Sequence, residues 1–398
     1  LELAKIAPKV GVMKFLTTFS CAWIAAGLVA VSAATPKVLP IGSPAPDFAL
    51  PDLEGKIHTL ADYASAKALV IIFTCNHCPD ALASAGRIEG VHRSNKDKGV
   101  AVVAVNSNSN VGLRLDEMAF APFGDSKEEM IPFAKEHGWT LPYLYDGETQ
   151  AFATACGAQS TPHVFLFDSE RKLRYTGRMD DAGRSKAPVD KSFVQDAIDA
   201  VLAGEEVKEP VTRSFGCSTK WLAKKDLVAK EQTDWVKKPV SVLDLDATLA
   251  KKLRENGSKN LRLVNFWSTT CAPCVKEFPD FVETARRFQL RGLEFVSISV
   301  DPKDDRAKVE AFLKKQHAAV SDTVLPSLKE QGRETSNFHW TDGNADKLAE
   351  AMDSEWTGAL PHTILVTPDG KIVWRHSGEA DPVEVRRQVL KALDDLGA

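Results

Sequence analysis

The sequence predicts an α/β protein built from two tandem domains, each a mixed central sheet flanked by helices. Three observations predict it. The 398 residues exceed the length at which one core keeps growing, and 44% hydrophobic with 26% charged residues gives apolar material for two cores. The same order of elements is written twice. In each copy a Cys-x-x-Cys pair stands where a buried strand gives way to a helix, at Cys75/Cys78 and at Cys271/Cys274. The spacing repeats as well. Cys75 and Cys271 are 196 residues apart and Pro162 and Pro361 are 199 apart, while cysteine to proline is 87 residues in the first copy and 90 in the second.

At the N-terminus, Met13-Lys14 opens a run, 15–31, with no charged residue, closing on Val31-Ser32-Ala33-Ala34. A cationic start, an apolar middle and small residues at its end predict a signal peptide cut after Ala33 or Ala34. An uncleaved membrane anchor is the rival reading, because about 17 apolar residues is the lower limit for a span. Residues 40–46 are turn-rich and lead into 47–50, with a hairpin around Glu54-Gly55. The continuous apolar run 68–73 predicts a strand covered on both faces. It feeds Cys75, then a helix, then a second buried strand over 100–105, a β-α-β unit. Residues 162–167 and 172–175 form a hairpin, and 192–202 a closing helix. The second copy repeats this with strands over 261–267 and 293–300, a hairpin of 361–366 and 371–374 around Pro368-Asp369-Gly370, and a helix over 383–396. The predicted organisation is an extension with signal over 1–34, a domain over 38–207, a polar Lys-rich linker with one short helix over 208–239, and a domain over 240–398.

The net charge of −4 is too small for electrostatic capture of nucleic acid, and Lys224-Lys225 and Lys237-Lys238 read as solvated faces. Of seven cysteines, Cys21 falls in the leader and receives no role. The even number remaining suggests disulfide chemistry outside the cytoplasm.

Cys75-Asn76-His77-Cys78 and Cys271-Ala272-Pro273-Cys274 each begin a helix, where free N–H groups and the macrodipole favour a thiolate on the first cysteine. The second cysteine then attacks the mixed disulfide. A shared zinc site conflicts with the separation of 193 positions from Cys78 to Cys271. A structural bridge over four residues closes little chain entropy. For Cys156 and Cys217 three arrangements stay open: a bridge between them, separate buried thiols, or resolving thiols for Cys75.

The segment 266–274 with Glu277, Pro279 and Leu360-Pro361 resembles thioredoxin-fold proteins of the TlpA-like type, over 240–398. The first half, 40–204, resembles AhpC/TSA-like redoxins through residues 41–48, Cys75-Asn76-His77-Cys78-Pro79, Thr161-Pro162 and Tyr175-Thr176-Gly177-Arg178. The fold class implied is therefore two thioredoxin-like domains. Pro162 and Pro361 would be cis-prolines that, with Thr161 and Leu360, offer backbone to an extended substrate. Two departures stand out in the second half. Thr270 occupies a position where Trp is usual, and Asn265 occupies the place of a buried Asp that assists proton transfer in thioredoxin itself. Redoxin peroxidases carry Thr three residues before the reactive cysteine; here Ile72 precedes Cys75 and Cys75 precedes Cys78, which points away from peroxidase chemistry.

The expectation that follows is an exported thiol-disulfide oxidoreductase acting on protein thiols or disulfides and a redox partner protein, with no diffusible cofactor, no resident metal and no nucleic acid. A membrane would be involved only if the leader stays attached. Cys75 and Cys271 would attack, and Cys78 and Cys274 resolve. The His77 imidazole would stabilise a Cys75 thiolate and make the first centre more oxidising than the second, where Pro273 brings no charge. Two other classes compete: a copper carrier using a cysteine pair with His163 or His362, and a docking module without exchange chemistry.

Overall fold

The computed structural model describes residues 36–184 and 188–397, so the predicted signal peptide and Cys21 lie outside the described residues. In chain order the first half comprises β1 (Ala49–Pro51), β2 (Ile57–Thr59), β3 (Ala68–Thr74), α1 (Pro79–Asn95), β4 (Val100–Asn106), α2 (Lys127–Glu136), β5 (Tyr143–Tyr145), α3 (Ala151–Cys156), β6 (Ser160–Thr161), β7 (His163–Phe167), β8 (Leu173–Gly177) and α4 (Phe193–Ala203). The connecting region holds β9 (Cys217–Ser218) and α5 (Lys225–Val236). The second half comprises β10 (Leu243–Leu245), α6 (Ala247–Glu255), β11 (Leu261–Trp267), α7 (Ala272–Phe288), β12 (Leu293–Ser299), α8 (Arg306–Lys315), α9 (Leu325–Glu330), β13 (Asn337–Trp340), α10 (Ala345–Met352), β14 (His362–Val366), β15 (Ile372–Ser377) and α11 (Pro382–Asp395).

Two mixed sheets result. The first has the order β5-β4-β3-β7-β8 and the second β10-β13-β12-β11-β14-β15. In each, the strand that leads to the cysteines is central, parallel to the next strand in sequence and antiparallel to the one after the proline. Phe73 faces His163 and Phe266 faces His362 at the same place in the ladder. The buried run in β3 works on both faces, as period-2 geometry requires. Ala68, Val70 and Ile72 enter one core cluster, and Leu69, Ile71 and Phe73 enter the other.

The central strand of the second sheet also carries a charge. Arg262 is fully buried, and its Nε donates to Glu294 Oε2 at 2.9 Å while Arg333 Nη1 lies 2.7 Å from the same carboxylate. A buried cation is tolerated there because it is paired and hydrogen-bonded.

The halves dock through α7. Arg287 Nε donates to the Met118 carbonyl at 2.9 Å, and its Nη2 to Ala121 at 3.0 Å and to Phe123. Ala119 enters the core cluster of Leu261, Leu263, Phe281 and Phe288. Ion pairs Arg386–Glu129 and Arg387–Glu136, each 2.9 Å, flank this contact.

Candidate active site

The two Cys-x-x-Cys segments are placed differently at their helices. Cys271 is the N-cap of α7, whereas α1 starts only at Pro79 with Cys78 as its N-cap. The expectation that both segments begin a helix at their first cysteine therefore holds for Cys271 and fails for Cys75, because Pro79 fixes the first turn of α1 one residue after Cys78. The favourable helix end falls on Cys78.

The second centre is a disulfide between Cys271 and Cys274. Cys274 is fully buried while Cys271 is half-buried, and Leu360 packs in the same cluster. The Leu360–Pro361 bond is cis. Behind the pair, Asn265 Nδ2 donates to Glu277 Oε1 and to Thr363 Oγ1, each at 3.1 Å, and Glu277 Oε2 accepts from Ala380 N at 2.8 Å. Burial pushes the Glu277 carboxyl up to about 7, one helical turn beyond Cys274. The sequence directs attention to Asn265 as a missing acid. The structure supplies a buried acid from the helix instead, hydrogen-bonded to that asparagine.

In the first centre Cys75 and Cys78 are free thiols, both fully buried, and the Thr161–Pro162 bond beside them is cis. Cys75 Sγ shares a 3.1 Å hydrogen bond with Thr161 Oγ1. Cys78 Sγ, while protonated, donates to the Thr161 carbonyl at 3.2 Å, and it accepts from Cys217 N at 3.2 Å. The Cys217 thiol, then the Cys75 thiol, and the backbone N–H groups of Ala81 and Cys217 all favour a thiolate on Cys78 and hold it far below an ordinary thiol. Burial pushes Cys75 well up. The geometry thus reverses the thiolate assignment read from the sequence, since Cys78 has the helix end and the donors.

His77 does not act as a lone charge beside Cys75. Its Nδ1 donates to Asp125 Oδ2 at 2.6 Å, with both side chains fully buried. Asp125 also accepts from Asn76 N at 2.8 Å and Asn108 Nδ2 at 2.7 Å. Burial works to raise the Asp125 carboxyl, but the His77 charge and these donors hold it below its ordinary value. Nothing in the sequence marks Asp125, 48 residues beyond His77. Its negative charge works against a Cys75 thiolate, opposing the stabilising role expected of His77.

Cys156 and Cys217 do not form a bridge. Cys156 is buried in a core cluster with Phe73 and Phe152, and burial raises its thiol. Cys217, half-buried, joins Cys75 and Cys78. The histidines of the copper reading are occupied. His163 Nδ1 accepts from Gln159 N at 3.2 Å and its Nε2 donates to Thr176 Oγ1 at 3.1 Å. His362 is held between Ser377 Oγ at 2.8 Å and Asp353 Oδ2 at 3.1 Å. Hydrogen bonds to neighbouring loops and strands thus take both ring nitrogens that a metal would need. Among the described residues, two groups place potential ligand atoms within 4.8 Å of one another: Cys75, His77 and Asp125, and Cys78, Asp80 and Cys217. No helix among them is long and apolar enough to cross a membrane.

Comparison with known proteins agrees with this duplicated arrangement. The AhpC/TSA family profile matches residues 41–176 and again 240–375. The thiol-disulfide oxidoreductase ResA of Geobacillus thermodenitrificans is 30% identical over 141 residues, 35% of this chain and 71% of that protein. ResA of Bacillus subtilis is 28% identical over 110 residues, 28% of this chain, which spans 49% of that protein's length. Among solved structures, a hypothetical protein from Sinorhizobium meliloti 1021 is 35% identical, covering 47% of this chain and 98% of its own, with a TM-score of 0.42. With both halves matched, the chain belongs to the AhpC/TSA family and carries its thioredoxin-like domain twice.

Proposed function

We propose that this protein exchanges disulfides with exported protein substrates through two Cys-x-x-Cys centres, one in each of the domains 38–207 and 240–398. The observation that carries the reading is the second centre. A half-buried Cys271 at a helix N-terminus, bonded to a buried Cys274, presents one sulfur to a partner and keeps the other in reserve.

In the reducing direction, the Cys271 thiolate attacks a substrate disulfide and forms a mixed disulfide, and one substrate sulfur leaves as thiolate. Cys274 then attacks Cys271 Sγ, which restores the Cys271–Cys274 disulfide and releases the second substrate thiolate. Glu277, with its carboxyl near 7, accepts the Cys274 proton as that thiol becomes a nucleophile. Pro361 and Leu360 offer backbone to the substrate strand. The charge-free run 15–31 supports action outside the cytoplasm.

The test is insulin reduction, or oxidation of a reduced peptide, by the purified protein. Changing Cys75, Cys78, Cys271 and Cys274 to Ser should abolish the activity. Full activity in that variant would overturn the assignment.

A further inference from the structure

The region between the two sheets does not run free past the first centre. β9 pairs antiparallel with β6, setting Cys217 opposite Thr161, the residue before cis Pro162. The pairing continues beyond the strand, with Thr219 N donating to the Gln159 carbonyl at 3.2 Å, and Lys220 N is anchored separately by the side chain of Asn108, donating to its Oδ1 at 2.8 Å. Gly216 approaches so closely that a Cβ on it would lie 2.0 Å from the Thr161 carbonyl oxygen, at a φ of +143°. The chain's own strand thus lies along the backbone that a proline loop offers to an extended partner.

This strand brings Cys217 Sγ within 4.8 Å of Cys78 Sγ. Cys75 and Cys78 are sealed from solvent, while Cys217 is partly open to it. Phe215, 53% exposed, and Pro162 line a cleft of about 700 Å³ beside the strand together with Arg87, Asp180, Arg184 and Arg213, an apolar contact set within a largely charged rim.

We infer that Cys217 is a third redox residue of the first centre, forming a disulfide with Cys78 by exchange with a partner disulfide, which is reduced to two thiols, and acting as the sulfur that partner thiols meet. This rests on the exchange reading of Cys75 and Cys78. With Cys78 and Cys217 joined, a partner dithiol attacks Cys217 Sγ through its first thiolate. The Cys78–Cys217 bond breaks and Cys78 leaves as thiolate, the better leaving group because it caps the N-terminus of α1 and accepts from the Cys217 backbone N–H. The partner's second thiolate then attacks its own sulfur in the mixed disulfide and releases Cys217. The partner dithiol loses two electrons and two protons and becomes a disulfide, and Cys78 and Cys217 gain both. Internally, Cys75 attacks Cys78 Sγ, forms Cys75–Cys78 and frees Cys217, with no net change in electrons.

The experiment uses the full chain carrying Cys271→Ser and Cys274→Ser, so that only the first centre reports. Oxidation by diamide of a further Cys75→Ser variant should give a Cys78–Cys217 disulfide on peptide mapping. Cys217→Ser should still form Cys75–Cys78 with diamide, yet exchange with a reduced peptide dithiol at least tenfold more slowly. Gly216→Ala keeps all three thiols but displaces the strand, and should lose the Cys78–Cys217 species. Absence of that disulfide in Cys75→Ser, or a wild-type peptide rate in Cys217→Ser, overturns the inference while the exchange reading stands. If Cys75–Cys78 forms in none of the proteins that retain both cysteines, the exchange reading of the first centre fails, and this inference with it.

Discussion

His77 Nδ1 donates to Asp125 Oδ2 across 2.6 Å inside a fully buried pocket, and the residues around that pair decide what the first centre can do. The same carboxylate fixes the Asn76 backbone, and Tyr143 OH donates to Asn76 Oδ1 at 2.8 Å, so the loop between the cysteines is held from two sides. Removing one member of a buried pair leaves the other uncompensated. Asp125→Ala should therefore destabilise the protein by about 3–5 kcal/mol in chemical unfolding, and Asp125→Asn by less. The carboxyl sits below its usual value in the fold, so its contribution is complete above the ordinary carboxylate range and is lost as pH falls through the folded value. A change under about 0.5 kcal/mol for Asp125→Ala, the range of surface substitutions, would show that the pair carries nothing.

The thiolate of the reduced first centre should belong to Cys78. Ultraviolet titration of the reduced protein carrying Cys271→Ser and Cys274→Ser should show a thiolate persisting well below the ordinary thiol range. Cys75→Ser should retain that signal and Cys78→Ser should remove it; loss in Cys75→Ser alone would refute the assignment. Cys156 stays silent because burial pushes its thiol upward.

Glu277 should set the pH dependence of the second centre. Its carboxyl titrates at about 7 in the fold and near 4.5 unfolded, so the stability it contributes is complete below 4.5 and is lost as pH rises through 7. Glu277→Gln should remove that slope, a difference on the order of 1–3 kcal/mol at pH 8. It should also flatten the pH profile of exchange near 7. An unchanged profile in Glu277→Gln would exclude the carboxyl from proton transfer.

Arg287 joins the halves. It serves the carbonyls of Met118, Ala121 and Phe123, and residues 118–123 lead directly into Asp125. Buried carbonyls left without a donor cost about 1–3 kcal/mol each. Arg287→Met should lower stability by roughly 3 kcal/mol and open residues 115–125 to limited proteolysis. Equal protease resistance in variant and parent would show that the contact does not hold the loop.

The sequence by itself determined what is local. Apolar runs of six residues became β3 and β4, mixed stretches over 261–267 and 293–300 became β11 and β12, and paired spacing disclosed the duplication and both cysteine pairs, because strand burial and the strand-to-helix junction are set by neighbours in the chain. Tertiary structure decided the rest. Cys217 lies 139 residues from Cys78 in a stretch that reads as linker, Asp125 lies in an irregular loop, and Arg287 looks like any charged helix residue. None belongs to a periodic pattern. Each acquires its role only when a groove, a buried imidazole or a row of unpaired carbonyls requires a partner. That requirement arises from desolvation in the assembled fold, where burial disfavours a Cys75 thiolate while neighbouring thiols and backbone N–H groups favour one on Cys78.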